Sequence, residues 1–414
     1  MSGVGEGRSA RPVRGPLFTD LYQLVMAQLY HRRGIAERAA QFDYSFRSNP
    51  DYGTHQAGFS VMVGHGPLLA WMQATRFDDA TLEDLAGLHD PTGRPRFDQD
   101  FLDWLAGVDL AGSLRLTGLA EGRVGHPNVP LITVEGPLAA AQLLETPLLN
   151  ICNYPSLIAT KAARVVRVAQ GSAVLEFGMR RGPGTGVTEA IRGALVAGCT
   201  STSDVEAALG LGVDPAGTHA HSMVQAFMAL GGGELEAFRA FAELYPDACL
   251  LLIDTIDTLR SGLPNAITVF RELREQGHEG RGIRLDSGDL AYLAVRCAAA
   301  LDEAGFPEVS IVLSGDLDEL TIWQILTQID EEAPRFGVDP ERIRRRLVYG
   351  VGTRLITSDG APSFTRLQAR RAGRRARRDA TGGEALGEPG EDRSRAASRS
   401  GASTTVTTWR RSTW

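Results

Sequence analysis

The stretch GIRLDSGDLAYLAVRCAAALDEAGFPEVSIVLSG, residues 282–315, decides the fold. A short apolar run ends in a polar, glycine-bearing loop. An acid then precedes a segment with apolar residues at i, i+3 and i+4, and a second apolar run follows. Strand, helix and strand in that order predict two parallel strands with the helix packed over them.

Working outward, the same unit recurs from Leu131 onward. Its apolar runs are LITVEG (131–136), AVLEFG (173–178), ALVAG (194–198), GVDPAGT (212–218, the weakest), CLLLIDT (249–255), GIRLDSG (282–288), SIVLSG (310–315) and LVYGVGT (347–353). Seven or eight such units predict an α/β fold whose sheet closes, or nearly closes, into a barrel; an open doubly wound sheet is the alternative. Before residue 130 the pattern differs. AAQFDYSFR and GFSVMVGHG read as strands, HGPLLAWMQ leads into a helix, and SLRLTGLAEGRVGHPNVP reads as further β structure with Gly/Pro turns. The expected organisation is a flexible stretch over 1–15, a smaller α+β domain over 16–130, the barrel over 131–365 and a tail without order over 366–414. That tail is rich in Arg, Gly, Ser and Thr and nearly empty of aliphatics.

Charge narrows the partners. The chain of 414 residues has a net charge of −7, but residues 366–414 hold twelve arginines against five acids, which leaves −14 on the rest. An acidic body repels nucleic acid, so anionic ligands must be met by local sites. No apolar run reaches the roughly 18 residues of a membrane span, and the N-terminus lacks the apolar core of a signal peptide, so a cytoplasmic protein is expected with no membrane partner. The four cysteines are far apart in apolar surroundings and read as reduced, buried thiols. Lys161 is the single lysine beside 42 arginines. A compact ammonium aimed at a phosphate or carboxylate is its functional reading; a chance survivor on a helix surface is the plain one.

In a barrel of this kind the chemistry lies at the C-terminal ends of the strands. Those ends supply Glu176 with Arg180 and Arg181, Thr218 with His219 and His221, Asp254 with Asp257, Arg284 with Asp286 and Asp289, Ser314 with Asp316, and Gly352 with Thr353. Arginines and carboxylates in that mixture suit a phosphorylated, Mg²⁺-chelated substrate. His219 and His221 form an HxH, which is also a zinc-hydrolase signature. Downstream of them stands only His278, in a turn-like segment, so later strands do not complete a His-rich metal site and no resident metal is expected. The better reading places His221 at a helix N-terminus, where free N–H groups and the helix dipole favour a phosphoryl group.

Eight segments resemble the nicotinate phosphoribosyltransferase family, in its order. They are FTDLYQLVMAQ (18–28), LLNICNYPSLIATKAAR (148–164), EFGMRR (176–181), GTHAHSMVQAF (217–227), LLIDTIDTLRSGLPNAI (251–267), GIRLDSGDL (282–290), IVLSGDLDE (311–319) and YGVGTRLITS (349–358). The resemblance spans about residues 16–365. It implies an irregular, TIM-like α/β barrel with a smaller N-terminal α+β domain, forming a homodimer. The implied reaction is ATP-assisted: nicotinate and phosphoribosyl pyrophosphate (PRPP) give nicotinate mononucleotide and pyrophosphate, with Mg²⁺ accompanying PRPP and the co-substrate ATP.

By the same resemblance His221 is the phosphorylated histidine and His219 its neighbour without a covalent role. Tyr22 stacks on the pyridine ring, Thr218 and Arg284 contact nicotinate, and Thr353 contacts PRPP. Asp286 is a catalytic candidate, and Arg180, Arg181, Asp254, Ser287, Gly315 and Gly352 are further binding candidates. The resemblance stops near Ser363, where the Arg/Ser-rich tail begins, as a reading-frame shift would produce. An inactive product of a C-terminally damaged gene is therefore one alternative, and a related enzyme acting on nicotinamide or quinolinate is the other.

Overall fold

The computed structural model describes residues 15–184, 186–358, 365–372 and 406–408, the last two segments by backbone alone. They form two units: one from residues 15–48, His65–Cys152 and the two C-terminal strands, the other from Asn49–Gly64 and Asn153–Ser363.

The first unit is built on a five-stranded sheet in the order Thr365–Ala372, Ala39–Phe46, Ile132–Pro137, Arg115–Leu119, Val406–Thr408, every pairing antiparallel. In the central pairing Phe42 lies opposite Val134 and Tyr44 opposite Ile132, and these four side chains are buried. The stretch 131–136, expected to open the barrel, therefore belongs here. Its alternation carries the reason: Ile132 and Val134 are buried while Thr133 and Glu135 are not, the pattern of a sheet packed on one face only. The boundary expected near residue 130 accordingly falls at Cys152. The expected flexible N-terminus lies outside the described residues, and so does most of the expected tail; the two tail segments that are described are strands.

The second unit is a parallel six-stranded sheet curled into half a barrel. Its order is Ser201–Thr202, Ala173–Glu176, Leu347–Val351, Ser310–Leu313, Gly282–Leu285, Leu250–Leu252. Leu313 pairs with Leu285 and Val351 with Glu176, so the carboxyl ends finish at one level. Ile283, Leu285, Ile311, Leu313, Tyr349 and Val351 point outward into the helical layer and are fully buried there. Alternate residues, Arg284 among them, face the concave side.

Two expected strands are absent. The run 194–198 closes the helix Gly186–Val196, whose Val187, Ala190, Ile191 and Ala194 recur at helical spacing on a buried face. Residues 212–218 form no strand; the edge strand of that region is Ser201–Thr202, two polar residues with no hydrophobic signal. Four cysteines are unpaired and buried, and burial pushes the Cys199, Cys249 and Cys297 thiols up to about 12. Among the described residues no helix is long and apolar enough to cross a membrane.

Candidate active site

Several acids near the strand ends are helix caps. Asp289 accepts the amide of Tyr292, Asp318 those of Leu320 and Thr321, and Asp257 those of Leu259 and Arg260. Asp254 behaves differently, because it starts no helix and its side chain is only 2% exposed. Its Oδ1 lies 3.0 Å from Nε2 of His221, and its Oδ2 accepts from the Asp286 amide at 2.9 Å and the Ser287 hydroxyl at 2.6 Å. A carboxylate accepts and does not donate, so a neutral imidazole in this contact carries its proton on Nε2 and leaves the lone pair on Nδ1. His221 is the first residue of the helix His221–Ala229, and its side chain is 37% exposed.

Beside this pair stands Arg284, which projects from its strand onto the concave face. Its Nε donates to the Ser314 hydroxyl at 2.8 Å, one terminal nitrogen to Asp286 at 2.8 Å, and the other to the Thr218 hydroxyl at 3.4 Å. Ser314 in turn donates to Asp286. Burial alone would raise the Asp286 carboxyl, but the hydrogen bonds from Ser314 and Arg284 outweigh it and hold the group below the usual carboxylate range. The guanidinium also lies 5.5 Å from the centre of the Phe177 ring. Phe177 was not singled out from the sequence. Its signal is indirect, since a side chain on Gly350 would meet the ring at 2.6 Å.

His219 is held as a structural residue. Its Nε2 accepts the Leu252 amide at 3.0 Å, and its ring packs against Phe238 and Phe241. Burial pushes its pKa down to about 4, helped by the nearby positive charge of Arg284. Glu176 is likewise sealed in: burial raises its carboxyl, and its oxygens accept the Thr202 hydroxyl and the Gly178 amide.

The glycines mark where backbones press together. Gly315 has φ +97°, and a Cβ there would lie 2.2 Å from the Asp286 carbonyl oxygen. At Gly352 an added Cβ would stand 3.0 Å from the Phe177 carbonyl oxygen, and Thr353 follows as the first residue of a four-residue helix. Arg180 and Arg181 form a single exposed turn after the Glu176 strand and take no part in the bonds above. Tyr22 belongs to the first unit; its hydroxyl donates to Glu145 at 3.4 Å, and the residue is 48% exposed. The structure thus joins His221, Asp254, Asp286, Ser287, Arg284, Thr218 and Ser314 in one bonded network, with Gly315 against it.

A parallel half-barrel with an imidazole, two carboxylates and a guanidinium bonded together at its strand ends is an α/β-barrel enzyme architecture of the kind that handles small anionic substrates. The chain belongs to the nicotinate phosphoribosyltransferase family: residues 17–153 match that family's N-terminal domain and residues 172–362 the family itself. It is 41% identical over 349 residues to the nicotinate phosphoribosyltransferase of Bacillus subtilis, covering 84% of this chain and 65% of that one. To a nicotinate phosphoribosyltransferase of Mycobacterium tuberculosis it is 39% identical over 351 residues, covering 84% and 68%. These matches span about two thirds of the relatives' length. In structure it is similar to human nicotinic acid phosphoribosyltransferase, with a TM-score of 0.70 at 32% identity, covering 87% of this chain and 76% of that one. It shares its fold with the nicotinate-nucleotide pyrophosphorylase of Pyrococcus furiosus, with a TM-score of 0.63 at 20% identity over 88% of this chain and 78% of that one.

Proposed function

We propose that the chain transfers the phosphoribosyl group of PRPP to the ring nitrogen of nicotinate, releasing pyrophosphate and forming nicotinate mononucleotide for NAD synthesis, with ATP as co-substrate. The observation that carries this reading is the continuous run of bonds from Arg284 through Asp286 to Asp254 and His221. It ties a guanidinium suited to a pyridine carboxylate to an imidazole suited to a phosphoryl group.

In this reading Asp254 holds Nε2–H, so the Nδ1 lone pair attacks the γ-phosphorus of ATP. The Nδ1–P bond forms as the bond to the ADP oxygen breaks, and water later cleaves the N–P bond to give phosphate and free imidazole. In the transfer itself the pyridine nitrogen attacks the anomeric carbon as its bond to the pyrophosphate oxygen breaks. Positive charge gathers on the sugar, and Asp286, held ionised by Ser314 and Arg284, supplies a fixed negative charge at the strand ends. Mg²⁺ enters as the chelate of the phosphates and is part of the substrate.

The same reading takes Thr353 and Gly352 to the PRPP phosphates and has the protein act as a homodimer in the cytoplasm. The test is formation of mononucleotide by the purified chain from PRPP with nicotinate, nicotinamide or quinolinate, with and without ATP. Product from nicotinate, raised by ATP and losing that rise in His221→Ala, is expected. A folded chain that makes no mononucleotide from nicotinate would sink the reading.

A further inference from the structure

Lys161, the chain's single lysine, is 1% exposed, on the helix Glu145–Val168. Its Nζ lies 2.8 Å from Oε2 of Glu319 and 4.2 Å from the centre of the Tyr52 ring. The other oxygen of Glu319 meets Nε of Arg164 at 2.8 Å and Nε2 of His55 at 3.0 Å. Burial alone would raise the Glu319 carboxyl, but the hydrogen bond from Arg164 and the adjacent charge of Lys161 overcome that and hold it below its usual range. For stability alone such a buried cluster is a poor arrangement, since apolar side chains of the same volume serve as well or better. Its place in the fold is therefore the informative feature.

Glu319 is the first residue of the helix Glu319–Glu332 and ends the turn that begins at Ser314. Within that turn Gly315 and Asp316 both have positive φ, +97° and +48°. A non-glycine residue in that region persists only where its surroundings fix it. One end is fixed by the sheet, through the Ser314 amide on the Leu285 carbonyl at 2.9 Å. The other is fixed by two adjacent acids. Asp318 caps the helix and pairs with Arg354 at 2.9 Å, and Glu319 is gripped by Lys161, Arg164 and His55. Between these ends lie the Ser314 hydroxyl that bridges Arg284 and Asp286, and Gly315, whose backbone is pressed against the Asp286 carbonyl.

We propose that Lys161 is a positioning residue: through Glu319 it holds the 314–318 turn, and through Ser314 it fixes the Arg284 fork and the Asp286 carboxylate. The substrate consequence rests on the reading of Arg284 as the carboxylate-binding group; the mechanical one does not. A compact ammonium fits between a carboxylate and a tyrosine face where a planar guanidinium is larger and differently shaped, which gives a reason for the one lysine in a chain that otherwise uses arginine.

The test is amide hydrogen exchange read by mass spectrometry on the full chain and on Lys161→Met, with nicotinate KM and kcat measured on both. Expected are exchange at least tenfold faster over 314–318 and at the Asp286 and Ser287 amides, no change over the helix Leu263–Glu275, a nicotinate KM raised at least fivefold and a smaller fall in kcat as the Asp286 carboxylate loosens. Lys161→Arg should fall between the two. Unchanged exchange over 314–318 in a folded Lys161→Met overturns the proposal, and so does a rise of equal size over Leu263–Glu275, which marks a merely structural role. Should Lys161→Met fail to fold, Glu319→Gln removes the same charge pairing and is read by the same exchange. A parent chain that does not use nicotinate defeats the proposed function, while the exchange over 314–318 still decides the role of Lys161.

Discussion

Oδ1 of Asp254 sits 3.0 Å from Nε2 of His221, while Oδ2 of the same carboxylate holds the Asp286 amide and the Ser287 hydroxyl. One buried side chain therefore sets both the tautomer of the imidazole and the placement of the loop after the neighbouring strand. Losing it disturbs two things at once.

Asp254→Asn offers one oxygen and an NH₂ in place of two acceptors. The amide cannot satisfy Nε2–H of His221 and the Asp286 and Ser287 donors together. Transfer of phosphate from γ-labelled ATP to the protein should fall by about a hundredfold or more, as expected when a nucleophilic imidazole loses the group that orients it. Acid-labile protein phosphate at the parent rate in this variant would remove Asp254 from the scheme.

Arg284→Lys keeps the charge and loses the fork. Contacts to Ser314, Asp286 and Thr218 depend on separate guanidinium nitrogens, and a single ammonium reaches them poorly. With charge-assisted bonds worth about 1.5–3 kcal/mol, nicotinate KM should rise by roughly ten- to a hundredfold. Steady-state rates at saturating PRPP check this, and an unchanged KM assigns the carboxylate to another group.

Gly315→Ala tests the close approach. At φ +97° with a Cβ 2.2 Å from the Asp286 carbonyl oxygen, both backbone conformation and sterics oppose any side chain. The expected loss is about 2 kcal/mol or more, which lowers the melting temperature by roughly 4–8 °C. A melting curve superimposed on that of the parent would show that the turn relaxes freely.

The legible and illegible parts of this fold divide along a physical line. Strands buried on both faces, such as Gly282–Leu285 and Ser310–Leu313, announce themselves as short apolar runs, and their ends bring Arg284, Asp286 and Ser314 into view. Residues 194–198 show the limit: four or five apolar residues fit a helix end as well as a strand. Ser201–Thr202 has no apolar residue to read, and its pairing is decided by the neighbouring Leu175 and Glu176 backbone. Within the site, residue types were visible but bonds were not. Nothing in the order of letters says that Asp254 holds His221 while Asp289 caps a helix, because both follow a strand. His219 and His221 are two residues apart, yet one is sealed against Phe238 and Phe241 and the other faces outward, a difference only tertiary packing creates.

That difference gives the last prediction its sign. His219 is neutral in the folded chain, with its pKa pushed down from 6.5 to about 4 by burial. In the unfolded chain the group titrates near the usual value of about 6.5. Between those values the unfolded state binds the extra proton, so stability rises with pH across the window and is lost as pH falls through it. A shift of that size corresponds to about 3 kcal/mol as an order of magnitude. His219→Gln keeps an acceptor for the Leu252 amide and carries no titrating ring. Its melting temperature should sit below that of the parent near pH 7, from lost packing, and fall less steeply from pH 6.5 to 4.5. The difference in slope, measured in parallel thermal melts, isolates this histidine from the carboxylates that titrate lower. Parallel curves across that window would mean that the ring is solvated in the native protein and that its bond to Leu252 does not persist.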